Sequence, residues 1–478
     1  MQLELGSEAP WCLEKGELHD VASIGDPGIG LVMVGNQRSK VASYLSVVGV
    51  IFVCIIAYKF ATRTIDATYP DRAQYKCQPE GGRRDPSDPS ITRPEGVIRV
   101  IRLTDNGEFV DRCELTEALY DLACDEDPSI YGSRRVCRKE SVGLPKLTLL
   151  YVHGWKHGSD PCDSDYLNFR KLIDSLTVEN LGKKNVLGIY VSWQADVRWL
   201  PWIFKNISFW DKKAVADDIA RSGVVTGIVG SVAAFSNSSR GRGDQFLALG
   251  HSFGARILFS ATSQSIIYEA NRSHPGYARG TYKPIKAAAD AVILLNPAFE
   301  AAHFSFIDGF RRGRKGPGFS TAECTRGKIE DWDEEKFAAE QTPVLLSISS
   351  SGDYATRFAF PAGSLLAFDF SERQRTTVGN YCNFATHVLR TTNGDESDCR
   401  PQEPSQTTNT FKAEGLCLQR KNDVDRYQPN NPFMVAETTS EIIEDHNDIW
   451  NDKFSRWLLA FVKALERRID ETSEPARR

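Results

Sequence analysis

Phe246-Leu247-Ala248-Leu249-Gly250-His251-Ser252-Phe253-Gly254-Ala255-Arg256 is an apolar run that ends in Gly-x-Ser-x-Gly and leads into a helical pattern. A serine placed this way sits on a tight strand-to-helix turn. The strained backbone there lifts its hydroxyl above a sheet, so the flanking positions must be small. Gly250 and Gly254 fill them. The five-residue pattern alone has modest specificity; a strand before it and a helix after it sharpen it, and the sequence supplies both.

Working outward from Ser252, Lys146 to Val152 is a near-continuous apolar stretch, as expected for the buried centre of a parallel sheet, and it exits at His153-Gly154-Trp155. Tyr166 to Leu181 has helical periodicity, and Asn185 to Trp193 reads as another buried strand. Aromatics at Trp199, Trp202, Phe204, Phe209 and Trp210 follow; they either line a pocket for an acyl group or, the commoner use, fill core. Lys212 to Phe235 reads as mostly helical, with Gly223 and Gly227 allowing close packing on the sheet. Downstream come a helix over Ala255 to Ala270 and a strand over Ala288 to Leu295, ending in Asn296-Pro297-Ala298-Phe299-Glu300. The next strand, Pro343 to Ser350, exits at Ser351-Gly352-Asp353.

Residues 380–390 and 391–426 read as irregular, Phe433 to Thr438 as the last strand, and Asn451 to Arg468 as an amphipathic closing helix. At the front, Gly96 to Leu103 alternates at period two and Asp105-Asn106-Gly107 supplies a turn, which predicts an opening hairpin before a polar loop to Pro145. Strands alternating with helices predict an α/β fold, with a mostly parallel central sheet covered by helices on both faces.

The 478 residues divide into an N-terminal tail (1–40), an apolar segment (41–60), a linker (61–95) and one large domain (96–478) with insertions near 301–342 and 391–426. VASYLSVVGVIFVCIIAYKF, residues 41–60, carries no charge before Lys59 and is expected to be a single transmembrane helix. Arg38 and Lys40 flank it on one side and Lys59, Arg63 and Arg72 on the other, so charge alone does not orient it. Met33 followed by Gln37-Arg38-Ser39-Lys40 has the layout of a signal-anchor start. The short basic N-terminus and the cysteine usage favour a domain on the extracytoplasmic side of a membrane, the inner membrane in a bacterium. The linker, with Gly81-Gly82-Arg83-Arg84-Asp85-Pro86, is too polar to pack.

A net charge of -5 without a basic, aromatic-interleaved stripe argues against a nucleic-acid partner. Eleven cysteines include no Cys-x-x-Cys pair and no zinc-like spacing with histidine, so a metal site is not expected. Setting aside Cys12 and Cys54 leaves an odd number, several far apart in polar stretches (Cys124 and Cys137, Cys399 and Cys417), which suits an oxidising compartment with at least one thiol left over. The cluster Arg311, Arg312, Arg314 and Lys315 reads as a solvated loop or, less often, a lid or a contact for anionic head groups.

From VHGWKHG, GHSFGAR, LLNPAFEAAHF, SISSSGDYAT and DHNDIW the chain resembles a bacterial α/β-hydrolase of the esterase/lipase type, over roughly Val97 to Arg468. The resemblance implies a triad in the order serine, acid, histidine: Ser252 as nucleophile, Asp353 as acid and His446 as general base. It implies an oxyanion hole from the backbone N–H groups of Phe253 and Trp155; the second is less secure, because no His-Gly-Gly-Gly run is present. His387 rivals His446 and Glu300 rivals Asp353, while His251 is expected to point away from the site. The expected substrate is an ester or lipid, with no cofactor. A thioesterase or amidase using the same triad, or a catalytically silent membrane-tethered binding module, are the alternatives.

Overall fold

The apolar runs on either side of Ser252 form the middle of a ten-stranded sheet among the described residues. The computed structural model describes residues 96–123, 144–195, 208–238, 243–273, 283–312, 337–338, 340–366, 371–392, 399, 410–421 and 430–473. All of them belong to one compact unit, Tyr69–Arg478. The tail, the apolar segment at 41–60 and the linker expected at 61–95 lie outside the described residues.

In chain order the elements are β1 (Val97–Arg102), α1 (Arg112–Ala123), β2 (Lys146–Val152), α2 (Ser164–Glu179), β3 (Asn185–Ser192), α3 (Ser208–Ser222), α4 (Val224–Ser238), β4 (Gln245–His251), α5 (Phe253–Ser273) and β5 (Ala291–Leu295). They continue with α6 (Ala301–Arg312), β6 (Leu345–Ser350), a π-helical turn (Ala355–Ala359), α7 (Phe360–Leu366), α8 (Glu372–Arg375), β7 (His387–Thr391), β8 (Phe411–Ala413), β9 (Leu416–Arg420), β10 (Phe433–Thr438) and α9 (Asp452–Ser473). The sheet order is β1-β3-β2-β4-β5-β6-β10-β7-β9-β8. Every pairing from β1 across to β7 is parallel; β7–β9 and β9–β8 are antiparallel.

Strands buried on both faces account for the continuous apolar runs. On β2, Leu147, Leu149 and Tyr151 join one core with Phe169 and Ile173 of α2 and Phe454, Trp457 and Leu458 of α9. Leu150 and Val152, pointing the other way, join Ile219 of α3, Val229 of α4 and Ile257 of α5. The sheet is therefore covered by helices on both faces.

Five local expectations are corrected. The opening hairpin has no second strand: Leu103 and Phe109 make a single bridge, and the chain then enters α1, whose Glu114 pairs with Arg102 at 2.5 Å. The supposed polar loop to Pro145 thus begins with a helix, whose Ala118 and Leu122 are buried and whose Leu115 and Leu119 pack partly buried against the core. The segment 212–235 is two helices, bent by 50° where Gly223 takes φ 74°, and Gly227 stands exposed in open space instead of against the sheet. The stretches read as irregular contain β7, β8 and β9, and the insertion read from 301 begins with α6, whose Phe304 and Ile307 are core.

Cys399 and Cys417 form a disulfide with each other, and Cys162 and Cys382 each take part in a disulfide. Cys113 is a free, exposed thiol.

Candidate active site

Register brings the carboxyl ends of five strands together. Val152 of β2 pairs with Gly250 of β4, Gly250 with Leu294 of β5, Leu295 with Ile348 of β6, and Ser350 with Thr438 of β10. The residues leaving those ends therefore meet above one edge of the sheet, the place where open parallel sheets gather reactive groups.

Ser252 follows β4 with φ 56°, the left-handed region that costs a residue with a Cβ. Its N–H donates to Leu295 O at 3.0 Å, and its carbonyl accepts from Ala298 N–H at 3.1 Å, so the strain is held from both sides. Small neighbours are obligatory here. A Cβ on Gly254 would lie 2.2 Å from Val152 O and 2.3 Å from His153 O, and one on Gly250 2.8 Å from the Ala255 Cα.

Ser252 Oγ donates to His446 Nε2 at 2.6 Å, and His446 Nδ1–H donates to Asp353 Oδ2 at 2.8 Å. Asp353, fully buried, also accepts from Thr356 N–H at 3.0 Å and from Thr356 Oγ1 at 2.7 Å. Burial by itself pushes the Asp353 carboxyl up; the neighbouring His446 and the hydrogen bonds from His446 and Thr356 outweigh it and hold the group below its ordinary value. The arrangement is a buried hydroxyl–imidazole–carboxylate chain, which can move the serine proton to the imidazole.

No family model matches this chain, and no curated protein matches it. Among solved structures it is similar to phospholipase PlaB from Legionella pneumophila in complex with thio-NAD, at 12% identity and TM-score 0.22. That alignment covers 69% of this chain and 64% of the other, so the chain spans less than two thirds of that protein. At such a TM-score the similarity carries no argument.

The rival residues stand elsewhere. Glu300 is tied to Arg256 and Lys213, the latter at 2.9 Å, and to His303 at 3.4 Å. Burial would raise its carboxyl, but His303 and the two cations hold it far below the ordinary range. His387 opens β7, fully buried, with its Nδ1 2.7 Å from Thr386 Oγ1. Neither belongs to the hydrogen-bonded chain of Ser252.

Phe253 opens α5, so its N–H is among the first four that helix geometry leaves without an intrahelical acceptor. Its ring is buried against Phe209 at 4.8 Å, and Phe209 lies edge-on to Trp155 at 5.2 Å. Phe209 is thus core, and it buttresses both residues whose amides were expected to face an oxyanion. Trp199, Trp202 and Phe204 lie outside the described residues. His153 anchors the other loop. Its Nδ1–H donates to Gly154 O at 2.9 Å, its Nε2 accepts from Trp193 N–H at 3.1 Å, and Trp193 Nε1–H donates to His153 O at 2.9 Å.

Three neighbours of the site escaped the sequence reading. Thr356 holds the Asp353 carboxylate; a hydroxyl three residues after it was the available signal. Asn296, at φ 41°, and His251 both reach the backbone of His446. The expectation that His251 points away is corrected: its ring lies 5.1 Å from that of His446. A strand residue beside Ser252 faces its parallel neighbours and the loops above them, and here that loop carries His446.

Proposed function

We propose that this chain is a serine hydrolase cleaving carboxylic esters on an α/β-hydrolase fold, with Ser252 as nucleophile, His446 as general base and Asp353 as the acid. The observation that carries the reading is the buried hydrogen-bonded chain from Ser252 Oγ through His446 to Asp353 at the carboxyl edge of a parallel sheet. The sheet order supports it: the nucleophile leaves a central strand, the acid follows β6, and the base follows β10.

His446 takes the Ser252 proton as Oγ attacks the ester carbonyl, and Asp353 holds the imidazole tautomer and stabilises its cation. The developing oxyanion rests on the N–H groups of Phe253 and Trp155. His446 returns the proton to the leaving alkoxide, and a water it then activates releases the acyl group, regenerating Ser252. The steps use protein groups throughout and call for no metal or organic cofactor.

A single apolar span at 41–60 tethers the domain to a membrane in this proposal, with ester or lipid substrates reached from the extracytoplasmic side. The Cys399–Cys417 disulfide supports an oxidising compartment for the domain.

A fluorophosphonate probe tests the reading without assuming a substrate. The full chain is expected to label and Ser252→Ala to stay unlabelled; equal labelling of the two, or none of the wild type, overturns it.

A further inference from the structure

We propose that His251 and Asn296 are positioning residues that clamp the backbone carbonyl of His446, fixing the base over Ser252; this rests on the hydrolase reading above. His251 Nε2–H donates to His446 O at 2.8 Å, and Asn296 Nδ2–H donates to the same oxygen at 3.1 Å. Asn296 Nδ2 also approaches Asp445 O at 3.4 Å. One carbonyl therefore carries two side-chain donors from two adjacent strands, β4 and β5. Two donors converging on one oxygen restrict rotation of the peptide unit, and with it the direction in which the His446 side chain leaves the backbone.

Each donor is itself immobilised. The His251 ring is fully buried and fills the space over Gly154, where a Cβ would lie 2.3 Å from its Nδ1. Burial, with the nearby His446 adding to it, drives His251 well below the ordinary histidine value, so the ring is neutral. A neutral ring that donates from Nε2 leaves Nδ1 bare, and that atom has no hydrogen-bond partner among the described residues. Asn296 holds its left-handed φ because its N–H donates to Ile348 O at 2.8 Å and its Oδ1 accepts from Ser350 N–H at 3.0 Å. Its amide thus bridges the end of the acid's strand to the loop of the base. His251 bridges the residue before the nucleophile to the same point. The clamp ties all three members of the chain to one carbonyl oxygen.

A group that sets the base's placement acts on the chemical step and leaves substrate binding alone. His251→Phe keeps the ring and loses the donor, so its kcat against a short-chain chromogenic ester is expected to fall on the order of 100-fold with KM within about twofold, the scale of a 1 Å misplacement. His251→Gln, whose amide N–H reaches nearly as far as Nε2, is expected to recover most of that loss. Asn296→Gly, which accepts the left-handed φ, is expected to lose about tenfold in kcat. A second measurement reads the wild-type ring itself and does not depend on His251→Phe. In wild type labelled with 15N-histidine, the resonance absent from His251→Gln is expected to show a protonated Nε2 and a bare Nδ1.

Unchanged kcat in His251→Phe, no recovery in a folded His251→Gln, or a protonated Nδ1 overturns the clamp while Ser252-dependent labelling leaves the hydrolase reading standing. Wild type without Ser252-dependent labelling overturns both.

Discussion

Adding one methyl group at Gly254 tests how tightly the two sides of the proposed oxyanion hole are joined. Its Cβ would sit 2.2 Å from Val152 O and 2.3 Å from His153 O. Ordinary contact begins at 3.4 Å, so α5 and the end of β2 must separate by about 1.2 Å. Neither oxygen belongs to a flexible side chain. Val152 sits in the ladder between Gly250 and Val191, and His153 O accepts from Trp193 Nε1–H at 2.9 Å. Overpacking of this kind costs about 1–3 kcal/mol, and replacing a helical glycine returns up to about 1, so the net loss of stability is about 0–3 kcal/mol. The rate consequence is larger. Phe253 and Trp155 move apart together with those backbones, and a misplacement near 1 Å lowers a rate on the order of 100-fold.

The assay is the rate of fluorophosphonate labelling of Gly254→Ala beside its urea midpoint, with Gly227→Ala as control. Gly227 is exposed with nothing near its missing Cβ, so alanine there is expected to add about 0.5–1 kcal/mol and leave labelling unchanged. A Gly254→Ala protein that labels at the wild-type rate would refute the account, because the two backbones would then not need their contact.

Ser252→Gly relieves the left-handed φ of 56° and is expected to raise stability by about 1 kcal/mol while abolishing labelling; a lower midpoint argues against strain at that position. Trp450→Phe removes the indole donor from the buried Asp165, which keeps Tyr151 OH at 2.7 Å, and is expected to cost about 1–3 kcal/mol in urea titration. Replacing Cys399 and Cys417 together by serine opens a link spanning 18 residues, with an expected loss of about 3 kcal/mol that reducing agent no longer increases at this site. His153 and His251 are both held below the ordinary value by burial, so the unfolded chain takes up their protons first as pH falls. Stability is therefore expected to decline below about pH 6.5, by at most about 1.4 kcal/mol per pH unit for each ring, until the folded values are reached. Asp353, held low, acts in the same direction below about pH 4. Equal urea midpoints at pH 7.5 and 5.5 would contradict the two buried neutral rings.

The central strands were legible because both of their faces are covered. Every residue of β2, β4, β5 and β6 is buried; β2, β4 and β5 each wrote a near-continuous apolar run, and β6 one interrupted by Ser347, Ser349 and Ser350. At the other edge, β7 carries His387, Arg390 and Thr391 and pairs antiparallel with β9, so neither strand left a run to read. The bend at Gly223 was hidden for a different reason: a glycine in a helical pattern signals flexibility, and only packing decides that φ turns positive. Ser252, Asp353 and His446 could be named because each follows a strand end, and the structure brings them into one hydrogen-bonded chain. Asn296 and His251 could not, since what they touch is a backbone oxygen whose place no side-chain pattern records.

Glycines, more than the hydrogen bonds of the triad, set how the loops meet. Gly154 admits the His251 ring and the Ser252 Cβ, Gly254 admits the carbonyls of Val152 and His153, and Gly352 admits Glu444 O, to which its own Cβ would come within 2.2 Å. Each pair joins two of the segments that carry the proposed nucleophile, oxyanion donor, acid and base. Two of these contacts are to backbone, which cannot rotate away, so the separation of the segments is fixed before any side chain forms a hydrogen bond. The short distances at Ser252, His446 and Asp353 are then a consequence of that frame. It follows that removing the side chain of Ser252, Asp353 or His446 leaves the frame in place, whereas adding a single carbon at Gly254 or Gly352 moves it.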